Sequence, residues 1–335
     1  MLPFFSTFIS GLDTLIDQWL REDINDIKID TLQDGLVVFR TLIASHQIGK
    51  IRYLNNSFIL ISRYELGRVT PSAVEAMNLL FQDRGLGSKL AELGGVKGDS
   101  FKIVVTAENR MIAIGREGIE QLAGLIGGGT GLSHDGISGN REFWLVIRGD
   151  GIVLFGLRIT ALKNKTVAGE LRLELTNSLC RLSDPVKSDV FMDPFCGSGA
   201  IFLERISSFG YKFAHAVDTD VSKIKLLEGK VSWTKEKVKI RVGNALELTD
   251  VETGSVGKMV ADPPWGNHQK VEDLDEFYRR MLKEFSRVLK PGGIAVILVA
   301  REIELDKFVS EFKLLEKYQI LVSGRKANIL KFLRL

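Results

Sequence analysis

Only two cysteines, Cys180 and Cys196, occur in the 335 residues, and they build no disulfide framework. Cys180 falls in a helical stretch and reads as core. The four histidines stand at no metal-ligand spacing to one another or to cysteine, so no metal site is expected. No apolar run approaches ~18 residues, which excludes a membrane-spanning helix on pattern. Met1 to Ser10 lacks a basic flank and reads as a first strand rather than a signal segment. Repeats and low-complexity tracts are absent. What remains, 45% apolar and 26% charged residues, suits a soluble chain with two or three cores in a reducing cytoplasm.

Against these absences stands one unusual run, Ala261-Asp262-Pro263-Pro264-Trp265-Gly266. Each proline pushes the residue before it towards extended geometry, so the segment is stiff. Neither proline carries an N–H, which leaves backbone carbonyls free to accept. A planar amine donating to the Asp262 carboxylate and the Pro263 carbonyl, its ring stacked on Trp265, would fit there. The plain alternative is a strand-ending turn whose tryptophan fills a core edge.

Upstream, VFMDPFCGSGA (190–200) is an apolar strand ending in Asp193-Pro194-Phe195 and entering the small-residue loop Cys196-Gly197-Ser198-Gly199. A helical pattern follows from Ala200. Glycines there let a ligand approach the backbone, and the helix start offers N–H donors. The phosphate-binding patterns GxGxxG and GxxxxGK[ST] do not occur at this loop, which argues against a dinucleotide or nucleoside triphosphate. Cys196 is a small loop residue rather than a nucleophile. A second strand, Phe213 onward, finishes at Asp218-Thr219, where an acid can accept from ribose hydroxyls. A helix around Val221 to Trp233 and a third strand, Val238 to Val242, lead to Asn244-Ala245, whose amide can read an adenine edge. A fourth, Lys258 to Ala261, enters Asp262. Four consecutive strand ends thus carry polar residues on the edge where parallel sheets bind ligands.

These residues resemble a class I S-adenosylmethionine-dependent methyltransferase, in the amino-methylating branch with a [DN]PP[YFW] motif. The resemblance implies a Rossmann-like α/β domain with a seven-stranded, mostly parallel sheet. It also implies S-adenosylmethionine at 193–199, Asp218-Thr219 and Asn244-Ala245, with an exocyclic amine at Asp262, Pro263, Pro264 and Trp265. LKEFSRVLKPGGIAVIL (282–298) is similar to the helix, turn and fifth strand of that fold, with Pro291-Gly292-Gly293 as helix stop. A helix at about Ile303 to Glu316 and strands at Ile320 to Ser323 and Ile329 to Leu335 would close the sheet.

Gly169-Glu170-Leu171-Arg172, the helix to Leu182 and DPFCGSGAIFLER (193–205) resemble the linker and first motif of THUMP-domain RNA methyltransferases, above all the tRNA guanine-N2 group. Leu173 stands where that family commonly has proline, and DPPW where it often has DPPY or NPPY. Trp265 offers a larger stacking face without a phenol hydroxyl. The implied organisation is a ferredoxin-like subdomain over 1–60, a THUMP-like RNA-binding domain over 61–162 ending in a hairpin at Gly149-Asp150-Gly151, a linker helix over 163–185 with Lys163-Asn164-Lys165, and the methyltransferase domain over 186–335. The expected partner is RNA, namely tRNA, with no membrane, no metal and a monomeric chain.

Charge agrees only in part. The first 150 residues carry 15 Lys and Arg against 18 Asp and Glu, the rest 30 against 24, for a net +3. An acidic first half is a poor electrostatic grip on RNA, although shape and 2′-hydroxyl recognition remain open. The expected backbone track is Lys212 to Arg241 with Arg325, Lys326, Lys331 and Arg334. The loop Gly127-Gly128-Gly129-Thr130-Gly131 reads as a flexible connection, and Asn267 and His268 as candidates to touch the target nucleotide. Adenine N6, a protein glutamine amide and a non-catalytic RNA-binding role stay open as alternatives.

Overall fold

The computed structural model describes residues 1–67, 70–93, 99–136, 138–160, 170–231, 236–266, 273–308 and 310–335. They form two compact units, the first built from 1–7, 16–51 and 56–162, the second from 8–15, 52–55 and 163–335. No helix among the described residues is long and apolar enough to cross a membrane.

The strands of the first unit are β1 (Leu2–Thr7), β2 (Lys28–Gln33), β3 (Leu36–Thr41), β4 (Asn56–Glu65), β5 (Ser100–Ala107), β6 (Arg110–Met111), β7 (Ser133–His134), β8 (Arg141–Ile147) and β9 (Ile152–Arg158). They join one sheet in the order β2-β3-β1-β4-β9-β8-β5-β6, with β7 beside β5. Asp34 and Gly35 both take positive φ, as a two-residue hairpin between β2 and β3 requires. On one face Phe5 stacks on Phe58 at 4.4 Å, within a cluster that includes Val38, Val146 and Leu154. Gln33 donates to Asp150 at 3.1 Å and Arg148 to the Asp34 carbonyl at 3.2 Å, clasping the two hairpin turns. The other face is covered by α3 (Ala73–Gln82), α4 (Leu86–Glu92) and α5 (Arg116–Thr130), which follow α1 (Asp13–Asp23) and the short α2 (Ser45–Ile48) in the chain. Leu80, Leu90, Leu122 and Ile126 bury against Phe101, Phe143 and Phe155.

Two expectations change here. The boundary at residue 60 falls inside β4, which pairs with β9, so the first two expected domains share one sheet. Residues 127–130 are the last turn of α5 rather than a loop, and Gly131 ends the helix at φ 74°. Gly129 is where α5 meets α4, since a Cβ there would lie 2.6 Å from that of Leu90.

In the second unit β10 (Val190–Asp193), β11 (Phe213–Asp218), β12 (Val238–Val242), β13 (Val256–Ala261), β14 (Leu289–Ala300), β15 (Phe312–Val322) and β16 (Arg325–Arg334) order as β12-β11-β10-β13-β14-β16-β15. This is the seven-stranded sheet, mostly parallel, with β16 antiparallel to both neighbours. The chain runs outward from β10 to β12, then returns to place β13 on the other side of β10. That reversal is a topological switch point, where the crossovers diverge and leave a crevice above the carboxyl ends. The helices are α6 (Leu173–Leu182), α7 (Ala200–Ser208), α8 (Val221–Lys230) and α9 (Leu274–Val288). Tyr278, Met281, Leu282, Phe285 and Val288 recur at helical spacing and seat α9 on Met259, Ala261 and Ile297.

The helix expected at 303–316 is a 3₁₀ turn, Leu305–Phe308, followed by β15. Leu314, Leu315 and Tyr318 fit a helical stripe in isolation, but pairing with β16 imposes period-two alternation on them. α9 stops at Val288, and Pro291-Gly292-Gly293 arches out of β14 between the paired residues Leu289 and Ile294. The expected end of α8 at Trp233 and the Lys163-Asn164-Lys165 linker lie outside the described residues.

The floor of the sheet is held by a buried ion pair, Arg205 to Asp189 at 2.9 Å, with the guanidinium 5.2 Å from the Phe191 ring centre and donating to the Gly210 carbonyl at 2.9 Å. Removing one member strands the other charge without water. Arg205→Met is expected to destabilise the second unit by about 3–5 kcal/mol in urea unfolding, and the double variant Asp189→Leu/Arg205→Met to recover part of that loss.

Candidate active site

The small-residue loop is shaped by β11 beside it. Cys196 N–H donates to the Val217 carbonyl at 3.0 Å and Gly197 N–H to Asp218 Oδ2 at 2.8 Å, folding the loop over the neighbouring strand end. Gly199 enters α7 at φ 100°, and a Cβ there would lie 2.4 Å from Leu227 Cδ1, so only glycine fits. Gly197 sits at φ 51°, and a Cβ on it would meet nothing closer than Lys223 Cδ at 4.0 Å. The space above the loop is therefore open. Outside the expected set, Glu170 accepts from Ser198 Oγ at 2.5 Å, and Lys230 donates to the Ser198 carbonyl at 3.2 Å. Gly169 lies outside the described residues.

The acids behave differently from one another. Asp193 is fully buried; Oδ1 accepts from Phe195 N–H at 3.3 Å, and Oδ2 has no hydrogen-bond partner. Burial, and after it the charges of Asp218 and Asp262, push its carboxyl well above the usual range. Asp218 accepts one backbone N–H on each oxygen, Gly197 N–H on Oδ2 at 2.8 Å and Asp220 N–H on Oδ1 at 2.9 Å, which leaves a lone pair on each for a further donor. Burial and the neighbouring Asp193 and Asp218 raise the Cys196 thiol too, which leaves it protonated and no nucleophile. The Asn244 side-chain carbonyl accepts from Leu246 N–H at 3.0 Å, which leaves its NH2 and a second lone pair to read a base. Thr219 is exposed, and Ala245 is buried.

β10 and β13 are parallel neighbours, which sets Asp262 beside Asp193 across the switch point. Asp262 keeps some contact with the site mouth, yet its carboxyl lies deep enough that burial pushes it up to about 7, opposed by a hydrogen bond from Trp265. That bond runs from the indole Nε1–H to Oδ1 at 3.1 Å. The Pro264 carbonyl is not free as expected: Tyr278 Oη on α9 donates to it at 2.6 Å. Burial, then the Asp262 charge, keeps that phenol protonated. Phe195 of the loop packs on Phe277 and Phe285 of α9 at 6.1 and 6.4 Å.

The structure thus brings residues 193–199, Asp218 and Asp262 to Trp265 onto one sheet edge, with Asn244 at its far end. Asn267 and His268 lie outside the described residues. Tyr278 was missed because its spacing marks it as core, and only the Pro264 carbonyl beside it reveals the second role. Part of the expected basic track is spent: Lys239 and Arg241 pair with Asp250, Lys331 with Asp184 and Glu316, and Arg334 bonds the Ser286 carbonyl. Lys212, Lys223, Lys225, Lys237, Arg325 and Lys326 of that track are exposed. Among the described residues no three His, Cys, Asp or Glu converge as metal ligands.

A carboxyl raised from 3.8 to about 7 on folding stabilises the fold below pH 4, and that contribution is lost as pH rises through 7. Asp262→Asn is therefore expected to melt above wild type at pH 8, with a much smaller difference at pH 4. An equal difference at both pH values would exclude the buried carboxylate as its cause.

Residues 161–225 and 230–327 match the model of the UPF0020 family, described as an RMKL-like methyltransferase domain. The human protein named tRNA (guanine(6)-N(2))-methyltransferase THUMP3 is 32% identical over 146 residues, covering 38% of this chain and 28% of its own. The probable tRNA (guanine(10)-N2)-dimethyltransferase of Methanothermococcus thermolithotrophicus is 29% identical over 156 residues, 44% of this chain and 90% of its own. The chain spans little more than a quarter of the mammalian THUMP3 relatives, 28% in each. Over both whole chains the structure of TrmN from Thermus thermophilus superposes with a TM-score of 0.76 at 20% identity. SMU.472, a putative methyltransferase complexed with SAH, gives 0.71 at 14% identity over 100% of this chain and 98% of its own. At such identities these two likenesses speak for the fold. Sheet order and switch-point site agree with the family match, in which residues 161–225 and 230–327 are similar to an RMKL-like methyltransferase domain.

Proposed function

We propose that the chain is an RNA N-methyltransferase that uses S-adenosylmethionine and acts on an exocyclic amine, guanine N2 of tRNA before others. The observation that carries this reading is the placement of Asp262 and Trp265 beside the Gly197 loop at one switch point. The residues fit the donor. Asp193 Oδ2 is a buried acceptor without a partner, the space above Gly197 is open, and the three acids favour a ligand with cationic groups. Residues 193–199 would hold the methionine portion, Asp218-Thr219 the ribose and Asn244-Ala245 the base. When bound, the donor supplies a methyl group on a sulfonium that departs as a neutral thioether.

The protein's part is positioning. Asp262 and the Pro263 carbonyl accept the two amine hydrogens, which aims the nitrogen lone pair at the methyl carbon from about 3–3.5 Å. The carboxylate also stabilises positive charge developing on nitrogen. Once alkylated, the nitrogen is acidic enough to lose its proton to water, so Asp262 need not be a strong base. Trp265 gives an unstacked base a surface to rest on. The first unit serves as a single THUMP-like module, its ferredoxin-like strands sharing one sheet with the rest, that positions the acceptor end of tRNA, in the cytoplasm. Support for guanine N2 comes from the relatives' names, and for the first unit's role from the sequence resemblance.

Methyl transfer from labelled S-adenosylmethionine to total tRNA, DNA and protein, followed by nucleoside analysis, is expected to yield N2-methylguanosine. Label in protein alone overturns the RNA assignment, and N6-methyladenosine overturns guanine. Asp262→Ala is expected to abolish transfer while calorimetry shows donor binding largely kept. Transfer near the wild-type rate by that variant would refute the amine clamp.

A further inference from the structure

Trp265 stands where an amine-binding segment needs only a flat apolar ring, yet its indole N–H is aimed at the carboxylate that must accept the amine. The bond to Asp262 Oδ1 measures 3.1 Å. It spans three residues of a segment stiffened by two prolines. At the segment's other side the Tyr278 hydroxyl, on a side chain 1% exposed, grips the Pro264 carbonyl at 2.6 Å. Gly266 turns the chain away at φ 83°, and a Cβ there would collide with Leu274 at 2.8 Å. The indole is thus held from both flanks rather than resting by chance against an acid.

The bond matters because the protonation state of Asp262 reverses what it can do. Ionised, it only accepts; protonated, it donates an O–H and competes for the nitrogen lone pair that must attack. Burial drives Asp262 towards the protonated form, to about 7. The other described titratable groups that share its field, Asp193 from the loop after β10 and Tyr278 from α9, offer it no positive charge. The indole N–H is the neutral donor that favours the anion. Phenylalanine has no donor, and a tyrosine hydroxyl would lie at the far end of its ring.

We propose that Trp265 is a positioning residue for Asp262, its indole N–H holding the carboxylate ionised and turned to accept the substrate amine. The inference rests on the amine-transfer reading above, but the bond itself is measurable without turnover. In the protein free of donor and RNA, the ¹⁵N-indole proton resonance of Trp265, assigned by triple-resonance connectivities in the wild-type chain, is expected to shift as pH is lowered through the Asp262 titration. In Asp262→Asn that shift is expected to vanish. A Trp265 resonance that does not titrate, or that titrates alike in Asp262→Asn, overturns the proposal. In turnover, Trp265→Phe is expected to move the acid limb of the kcat profile upward by about one pH unit, so that its deficit against wild type is about tenfold larger at pH 6 than at pH 9. A deficit equal at all pH values assigns Trp265 to stacking alone and also overturns the proposal. Should wild type transfer no methyl group to RNA at any pH, the functional reading falls, and the indole titration still decides the bond. That titration uses the wild-type chain and so survives a Trp265→Phe variant that fails to fold.

Discussion

Parallel strands end on the same side, so a parallel sheet that carries acids at its strand ends gathers like charges on one edge. In the second unit Asp218, Asp193 and Asp262 stand in that order across three adjacent strands. Each is steadied differently: Asp218 by two backbone N–H groups, Asp193 by one, Asp262 by an indole. Donors of this kind offset desolvation but bring no net positive charge, so the edge remains electrostatically incomplete. A ligand that brings positive charge completes it and stabilises the fold by mass action. The same crowding of carboxyls selects what binds there.

α9 joins the two halves of the site. Its apolar stripe belongs to the core, yet the same face sends Phe277 and Phe285 to Phe195 of the cofactor-type loop and Tyr278 to the Pro264 carbonyl. The loop and the Asp262–Gly266 segment are therefore registered against one element rather than against each other. Small displacements of α9 would move both together, which preserves the spacing between the Gly197 loop and the Asp262 segment.

Much of this was legible in the residues because it is local. Strand, glycine loop and helix start follow one another within 190–208, and the acids recur at the ends of apolar runs. What escaped was decided at a distance. β15 reads as a helix until β16 pairs with it, and residue 60 reads as a boundary until β4 meets β9. The glycines of 127–131 read as a loop because their partner is Leu90, far upstream. The Trp265 to Asp262 bond is sequence-local, but no spacing rule says whether an indole turns its edge or its face to a carboxylate.

The position of β16 bears on how the second unit is made. It lies between β14 and β15 in space but follows both in the chain. Until residues 325–334 leave the ribosome, β14 presents the apolar run Ile294 to Ala300 along an unpaired edge, and β15 has no neighbour to hold it. The nascent sheet is thus open at its most hydrophobic margin for the time needed to synthesise some thirty residues, a window for edge-to-edge association that slower translation would lengthen.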